Sequence, residues 1–269
     1  MATDPNAGRP VAPSTFALMM ATGALIVLLG AAHGGWLPRP LWLRTYALTA
    51  LVAQCAAVVA LWQVVRSSGR GTASARAWLI LFAGMYLFTV GHACLSAQRF
   101  SNEAGTAGFP TAADIFFIAG QVLMVTGLIV HLVAYARTGL PLGSRTSYVI
   151  MYTVVAVIVA FLTWKLNIPM WSDPALTFGW KAVSTAYHAI DMLTLCIALA
   201  LMRIALIFRG GSLAHGWAGI ATAFLATMVG DMLFGIEIDS RYSALVFLAS
   251  YIALMFGAMR HREVVLSVG

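Results

Sequence analysis

Residues 182–208 read AVSTAYHAIDMLTLCIALALMRIALIF. The stretch is longer than the roughly 20 mostly apolar residues that cross a bilayer, so it is expected to tilt or to extend past the membrane. It also holds His188 and Asp191 among apolar neighbours. An ionisable group at that depth costs about 2.5–3.5 kcal/mol on insertion scales, and it persists where it finds a partner, lines a wet cavity or serves a function. Asp231, after Gly230 in a second apolar segment, poses the same question.

Seven further segments of this kind flank the first one. The chain has 269 residues, 61% of them hydrophobic and only 9% charged, with a mean hydropathy of +0.88. Soluble domains are about 45–50% apolar and about 25% charged, so the composition defines a polytopic membrane protein without a soluble domain. Spans are expected at 15–33, 46–65, 77–97, 112–135, 148–168, 182–208, 213–234 and 242–259, the last the shortest. The expected fold is therefore an all-α bundle of about eight transmembrane helices in one domain, 1–269, with short cytoplasmic tails at 1–14 and 260–269. Gly30-Ala31-Ala32 resembles a signal cleavage site, but Asp4 and Arg9 cancel and no positive cluster precedes the apolar run.

An even span count puts both termini on one side. That side collects Arg9, Arg66, Arg70, Arg76, Arg137, Arg145, Arg203, Arg209, Arg260 and Arg262. The opposite side collects Arg39, Arg44, Arg99, Lys165, Lys181 and Arg241, with Glu103, Asp173, Glu237 and Asp239. Basic residues favour the cytoplasm, so both termini are expected inside. The net charge of +7 is spread over loops, which reads as topology signal and headgroup contact, with no nucleic-acid partner. Cys55, Cys94 and Cys196 show no CxxC spacing and read as small buried hydrophobes. Trp36, Trp42, Trp171 and Trp180 read as interfacial aromatics. No internal repeat stands out.

With this topology the ionisable residues gather in the outer leaflet. Asp191 falls about 14 Å below a boundary at Ala182, and Asp231 about 8 Å below Ile236, at the helical rise per residue. His92 lies near the outer end of its span, Asp114 opens the next one, and His33 caps the first. The inner half holds only His131 and Arg203 at comparable positions, and Arg203 can snorkel. Each residue also has a structural reading. Thr111-Ala112-Ala113-Asp114 is a capping-box pattern, His92 can bond a backbone carbonyl, and His188 with Asp191 can pair on one helix face. Taken together, Asp191, His188, Asp231, His92 and Asp114 are expected to line an outward-facing polar pocket. Metal and haem are conceivable occupants by ligand type, yet no metal motif, nucleophile elbow or phosphate loop occurs, and no cofactor is required.

Phe109-Pro110-Thr111-Ala112-Ala113-Asp114, Tyr187-His188-Ala189-Ile190-Asp191-Met192-Leu193 and Val229-Gly230-Asp231-Met232-Leu233-Phe234-Gly235 resemble, in this order, three helix motifs in the multi-span sensor regions that precede GGDEF or EAL domains in bacterial cyclic-di-GMP signalling proteins. The resemblance covers about residues 80–260 as a loose pattern. It implies sensing of a small ligand, an ion or the membrane state, and it transfers no catalytic residue. His188 stands where that pattern has Pro, and no output domain follows before Gly269. The chain is then a stand-alone sensor acting through a cytoplasmic partner, or an excised piece. The leading expectation is a bacterial inner-membrane sensor; the alternatives are a lipid-modifying membrane enzyme and an accessory subunit of a larger complex.

Overall fold

A computed structural model describes residues 38–69, 71–101, 109–138, 144–207, 211–235 and 240–268. The expected span at 15–33, its preceding tail, His33, Trp36 and the loop acids Glu103, Glu237 and Asp239 lie outside the described residues. Among the described residues the structure is helical, without strands. The helices are α1 (Arg39–Ser67), α2 (Ala73–Ser101), α3 (Ala112–Arg137), α4 (Arg145–Leu162), α5 (Ile168–Ser172), α6 (Phe178–Ile207), α7 (Ser212–Gly235) and α8 (Ser240–Val268). A wider π turn, Thr163–Asn167, joins α4 to α5. Pro169 follows it and has no N–H for the carbonyl four residues back, which favours such a local adjustment. Seven helical segments are long and apolar enough to span a membrane, α4 to α5 counting as one.

Local signals start the helices where the sequence places them. Pro38 and Pro40 open α1. Thr111 accepts from the Ala113 amide while Asp114 accepts from the Thr111 amide, closing the capping box of α3. Ser144 caps α4 through the Ser147 amide. The helix α8 is longer than the expected 242–259. It runs on through the charged residues 260–263, where Arg260 and Glu263 pair at 2.7 Å, one turn apart. Pairing at that spacing supports a helix beyond the apolar stretch.

The packing closes a ring. Helix α1 contacts α2 and α8, α2 contacts α3, α3 contacts α6, α6 contacts α7, and α7 contacts α8. Helices α4 and α5 stand outside the ring; α4 packs on α6, and α5 is tied to it by hydrogen bonds of Trp171 with Thr185 and Lys181. Over its apolar 18-residue stretch only 11% of this arm is buried, against 39–56% for the other spans.

The ring is made of two similar units, α1–α3 and α6–α8, which corrects the expectation that the chain has no repeat. Tyr46, Cys55 and Ala57 of α1 recur at the same spacing as Tyr187, Cys196 and Ala198 of α6. Trp78, Val90 and Gly91 of α2 recur as Trp217, Val229 and Gly230 of α7. Phe117, Ala119, Gly127 and His131 of α3 recur as Phe247, Ala249, Gly257 and His261 of α8. The contacts recur as well. A Cβ at Gly127 would lie 2.7 Å from Leu81 Cγ, and one at Gly257 would lie 2.7 Å from Ile220 Cγ1. A Cβ at Gly91 would meet Phe117 at 3.0 Å, and one at Gly230 would meet Phe247 at 2.8 Å. Within each unit, then, glycine lets the last two helices touch backbone to side chain. Each unit crosses the membrane an odd number of times, so one extra crossing is needed before the second unit can run in the same sense as the first. The arm α4–α5 supplies it, which accounts for its place outside the ring.

Candidate functional site

The two units face each other across a small cavity of about 30 Å³, room for one or two waters. Its walls carry matched positions of the repeat: Met85 and Phe224, Phe88 and Thr227, Gln121 and Tyr251, Met124 and Leu254. Asp191, Thr194 and Ser250 complete the polar part of the lining. The hydroxyl protons of Thr194, Thr227 and Ser250 are given to carbonyls of their own helices, Ile190 at 2.8 Å, Ala223 at 3.1 Å and Phe247 at 2.7 Å. What these side chains leave for the cavity are oxygen lone pairs. Among the described residues Gln121 Oε1 is buried without a partner, one more acceptor on the same wall.

Asp191 is buried at 6% exposure. Its carboxyl group lies within hydrogen-bonding reach of the Asp231 carboxyl group, across the α6–α7 contact. Two carboxylates so close repel unless a proton or another cation is shared between them. Asp231 Oδ2 is buried and has no partner among the described residues. Asp191 stands in the middle of α6 (Phe178–Ile207) and Asp231 in the last turns of α7 (Ser212–Gly235), so their approach sets those two levels side by side.

Asp114 belongs to the same region. Besides capping α3, it accepts at Oδ1 from the Tyr187 hydroxyl at 2.8 Å, and Tyr187 interacts electrostatically with both Asp191 and Asp231. One tyrosine that single-residue reading had not singled out therefore bonds Asp114 and lies within electrostatic reach of the other two aspartates. Its position one turn before Asp191 was the available signal.

The histidines divide differently. His92 is buried, with its ring edge-on to Tyr46 at 6.2 Å and to Phe117 at 6.4 Å. It reaches the Ala47 backbone, as the structural reading held, while Nε2 has no partner among the described residues. It is the repeat counterpart of Asp231, since Gly91-His92 matches Gly230-Asp231. His188 does not pair with Asp191. Its Nδ1 lies 2.6 Å from Asn167 Oδ1, so the ring is turned outward to the arm. Trp171, which donates to Thr185 at 2.9 Å, and Lys181, which donates to the Trp171 carbonyl at 3.1 Å, fasten the same junction.

Two other expectations change. Trp42, in the first turn of α1, faces into the ring and not outward: it is 2% exposed and stacked on Tyr46 at 5.7 Å. Cys55 is exposed on the outside of the bundle, with Cys94 and Cys196 half-buried. Among the described residues no three His, Cys, Asp or Glu side chains group as metal ligands would.

The end of the ring away from the carboxyl pair, read from sequence as nearly empty of ionisable groups, holds a second cluster. Trp78, His131, Trp217 and His261 form a box of four rings from four helices. Trp78 lies 4.9 Å from His131 and 4.7 Å from His261, and Trp217 lies 5.0 Å and 6.0 Å from the same rings. Trp217 Nε1 donates to the Tyr135 hydroxyl at 2.7 Å. Each box residue is two helical turns from a cavity residue on its own helix: Trp78 from Met85, His131 from Met124, Trp217 from Phe224, His261 from Leu254. Cavity and box thus share one inward stripe, about 10 Å apart at the helical rise. Leu81, Leu128 and Ile220, each at most 1% exposed, fill the interval.

Fold and site define a multi-pass helical membrane protein with a polar interior between two repeated units. No family model matches the chain, and no curated protein or solved structure is significantly similar to it.

Proposed function

We propose that the protein binds a small cation, a proton included, at the Asp191–Asp231 pair. The observation that carries this reading is chemical: two carboxyl groups in mutual reach, beside a cavity whose polar atoms are mainly acceptors. Such a site favours an occupant that brings positive charge or donors. The size of the cavity favours an ion or a very small solute over a lipid headgroup, so the enzyme reading gains no support from it.

Occupancy removes the repulsion between α6 and α7 and so biases how the two units pack, which is the differential interaction a ligand needs to shift a conformational equilibrium. In this proposal the chain is a sensor-type protein of a bacterial inner membrane, its box end cytoplasmic, and a cytoplasmic or membrane partner reads the shift. The convergence of Asp114, Asp191 and Asp231 supports the likeness to cyclic-di-GMP sensor regions, since these residues carry it. Asp114 acts by holding Tyr187; His92 packs against Tyr46 and Phe117 and stands outside the cavity lining; His188 works one step away, at the arm.

The test is thermal unfolding of purified protein in detergent with sodium, potassium, methylammonium and magnesium chlorides, and across pH. At least one cation, the proton included, is expected to raise the midpoint, as a ligand specific for the native state does. Asp191→Asn and Asp231→Asn are expected to remove that response while leaving a folded protein. An unfolding midpoint indifferent to every cation and to pH in the unmodified protein would overturn the proposal.

A further inference from the structure

The box explains more than closure of the ring. Among the described residues Trp78 Nε1, His131 Nε2 and His261 Nδ1 are buried in it without hydrogen-bond partners. Buried polar atoms are normally satisfied, and an unsatisfied one calls for a specific explanation. A seal made only to exclude water is made at lower desolvation cost from the aliphatic side chains used just above it, Leu81, Leu128 and Ile220. Indole and imidazole groups in that place fit a seal whose atoms are hydrated in a second arrangement of the helices.

The repeat supplies that second arrangement. Parallel repeats related by an axis along the membrane normal are one way transporters are built, with the substrate site near the midplane between the repeats and access changed by rocking one unit against the other. Here the cavity is lined by matched positions of both units, and two helix pairs closely packed at glycines meet across it. Each unit brings one Trp and one His to the box, so separating the units at that end breaks the contacts of Trp78 with His261 and Trp217 and of His131 with Trp217, splitting the box into two pairs.

We propose that the protein is a carrier: the cation held at the Asp191–Asp231 pair crosses the membrane as the two three-helix units rock about the cavity, and the box of Trp78, His131, Trp217 and His261 is the seal that opens on the far side. This rests on the reading that the carboxyl pair takes a cation. It goes beyond that reading by moving the ion through the ring instead of only registering it. The polar network of Asp114, Tyr187 and Asp231 is the entry on the other side.

The experiment is flux through the full chain in liposomes. A potassium gradient with valinomycin sets the potential; trapped pyranine reports protons and a trapped sodium-sensitive dye reports sodium. The unmodified protein is expected to move one of the two at a saturable rate. That rate is expected to exceed the Asp191→Asn rate by about tenfold or more, because an ion at that depth loses its charge partner. Trp217→Ala thins the seal and is expected to raise the rate further and to abolish saturation; Ile220→Ala, one turn nearer the cavity, gives the same test if Trp217→Ala does not fold. Cation binding is measured on the same samples by thermal unfolding. Binding retained with fluxes equal to those of empty liposomes in all variants overturns the carrier and leaves the binding reading standing. Loss of both binding and flux in the unmodified protein overturns both.

Discussion

Tyr187 gives its hydroxyl proton to Asp114 across 2.8 Å and joins the middle of the ring wall to the first turn of α3. Helix α3 and helix α6 belong to different repeat units, so this bond fastens one unit to the other at the carboxylate end. Asp114 is 7% exposed, and a carboxyl group left without its donor there loses a buried partner.

Tyr187→Phe is therefore expected to lower stability by about 1–3 kcal/mol, the range for leaving a buried polar group unsatisfied. Asp114→Ala removes the cap of α3 as well and is expected to cost more. Thermal unfolding in detergent, followed by tryptophan fluorescence, checks both. A Tyr187→Phe protein as stable as the unmodified chain would show that this bond does not hold the units.

The carboxyl pair calls for a double-mutant cycle. Asp191→Asn and Asp231→Asn are expected to be non-additive, with a coupling of about 0.5–3 kcal/mol, as for residues in contact. Additive effects would separate the two side chains and remove the core of the proposed site.

Glycine substitutions test the repeat. Gly127→Ala and Gly257→Ala place a Cβ 2.7 Å from Leu81 Cγ and Ile220 Cγ1, so each is expected to cost about 1–3 kcal/mol through overpacking, Gly257→Ala the more because the Gly216 carbonyl and the Ile220 amide also lie at 2.7 Å. Gly179→Ala meets nothing within 4 Å and should stay within about 0.5 kcal/mol. A Gly127→Ala or Gly257→Ala protein as stable as the unmodified chain would show that the matched glycine contacts do not hold the units.

His188→Ala separates the arm from the pocket. Loss of the contact with Asn167 is expected to cost about 0.5–1.5 kcal/mol and to speed hydrogen exchange in residues 163–172. The cation-dependent rise of the unfolding midpoint should remain. Its disappearance would return His188 to the site beside Asp191.

Much of the architecture is legible in the sequence because a bilayer accepts few solutions. Long apolar segments must be helices, since backbone polar groups find no water in the membrane, and the expected spans from 46 to 259 lie inside the observed helices almost throughout. The three aspartates stand out for the related reason that ionisable groups at depth are costly. The repeat is harder to see. Most residues of these helices face lipid or fill the core, where many apolar side chains serve equally, so only glycines at close contacts and a few tyrosines, tryptophans and histidines keep matched positions. His131 and His261, 130 positions apart in the chain, have no sequence signal that they share a box.

What the sequence by itself determines is the membrane setting, the helical class, the approximate spans and the short list of residues too polar for their surroundings. Hydropathy and length settle these because they depend on local composition. Tertiary structure decides which of those residues meet. It sets Asp191 against Asp231, gives Tyr187 to Asp114, turns His188 away to Asn167, and assembles the tryptophan–histidine box from four helices. Those outcomes depend on the rotation and offset of packed helices, which close glycine contacts set and which no single helix encodes.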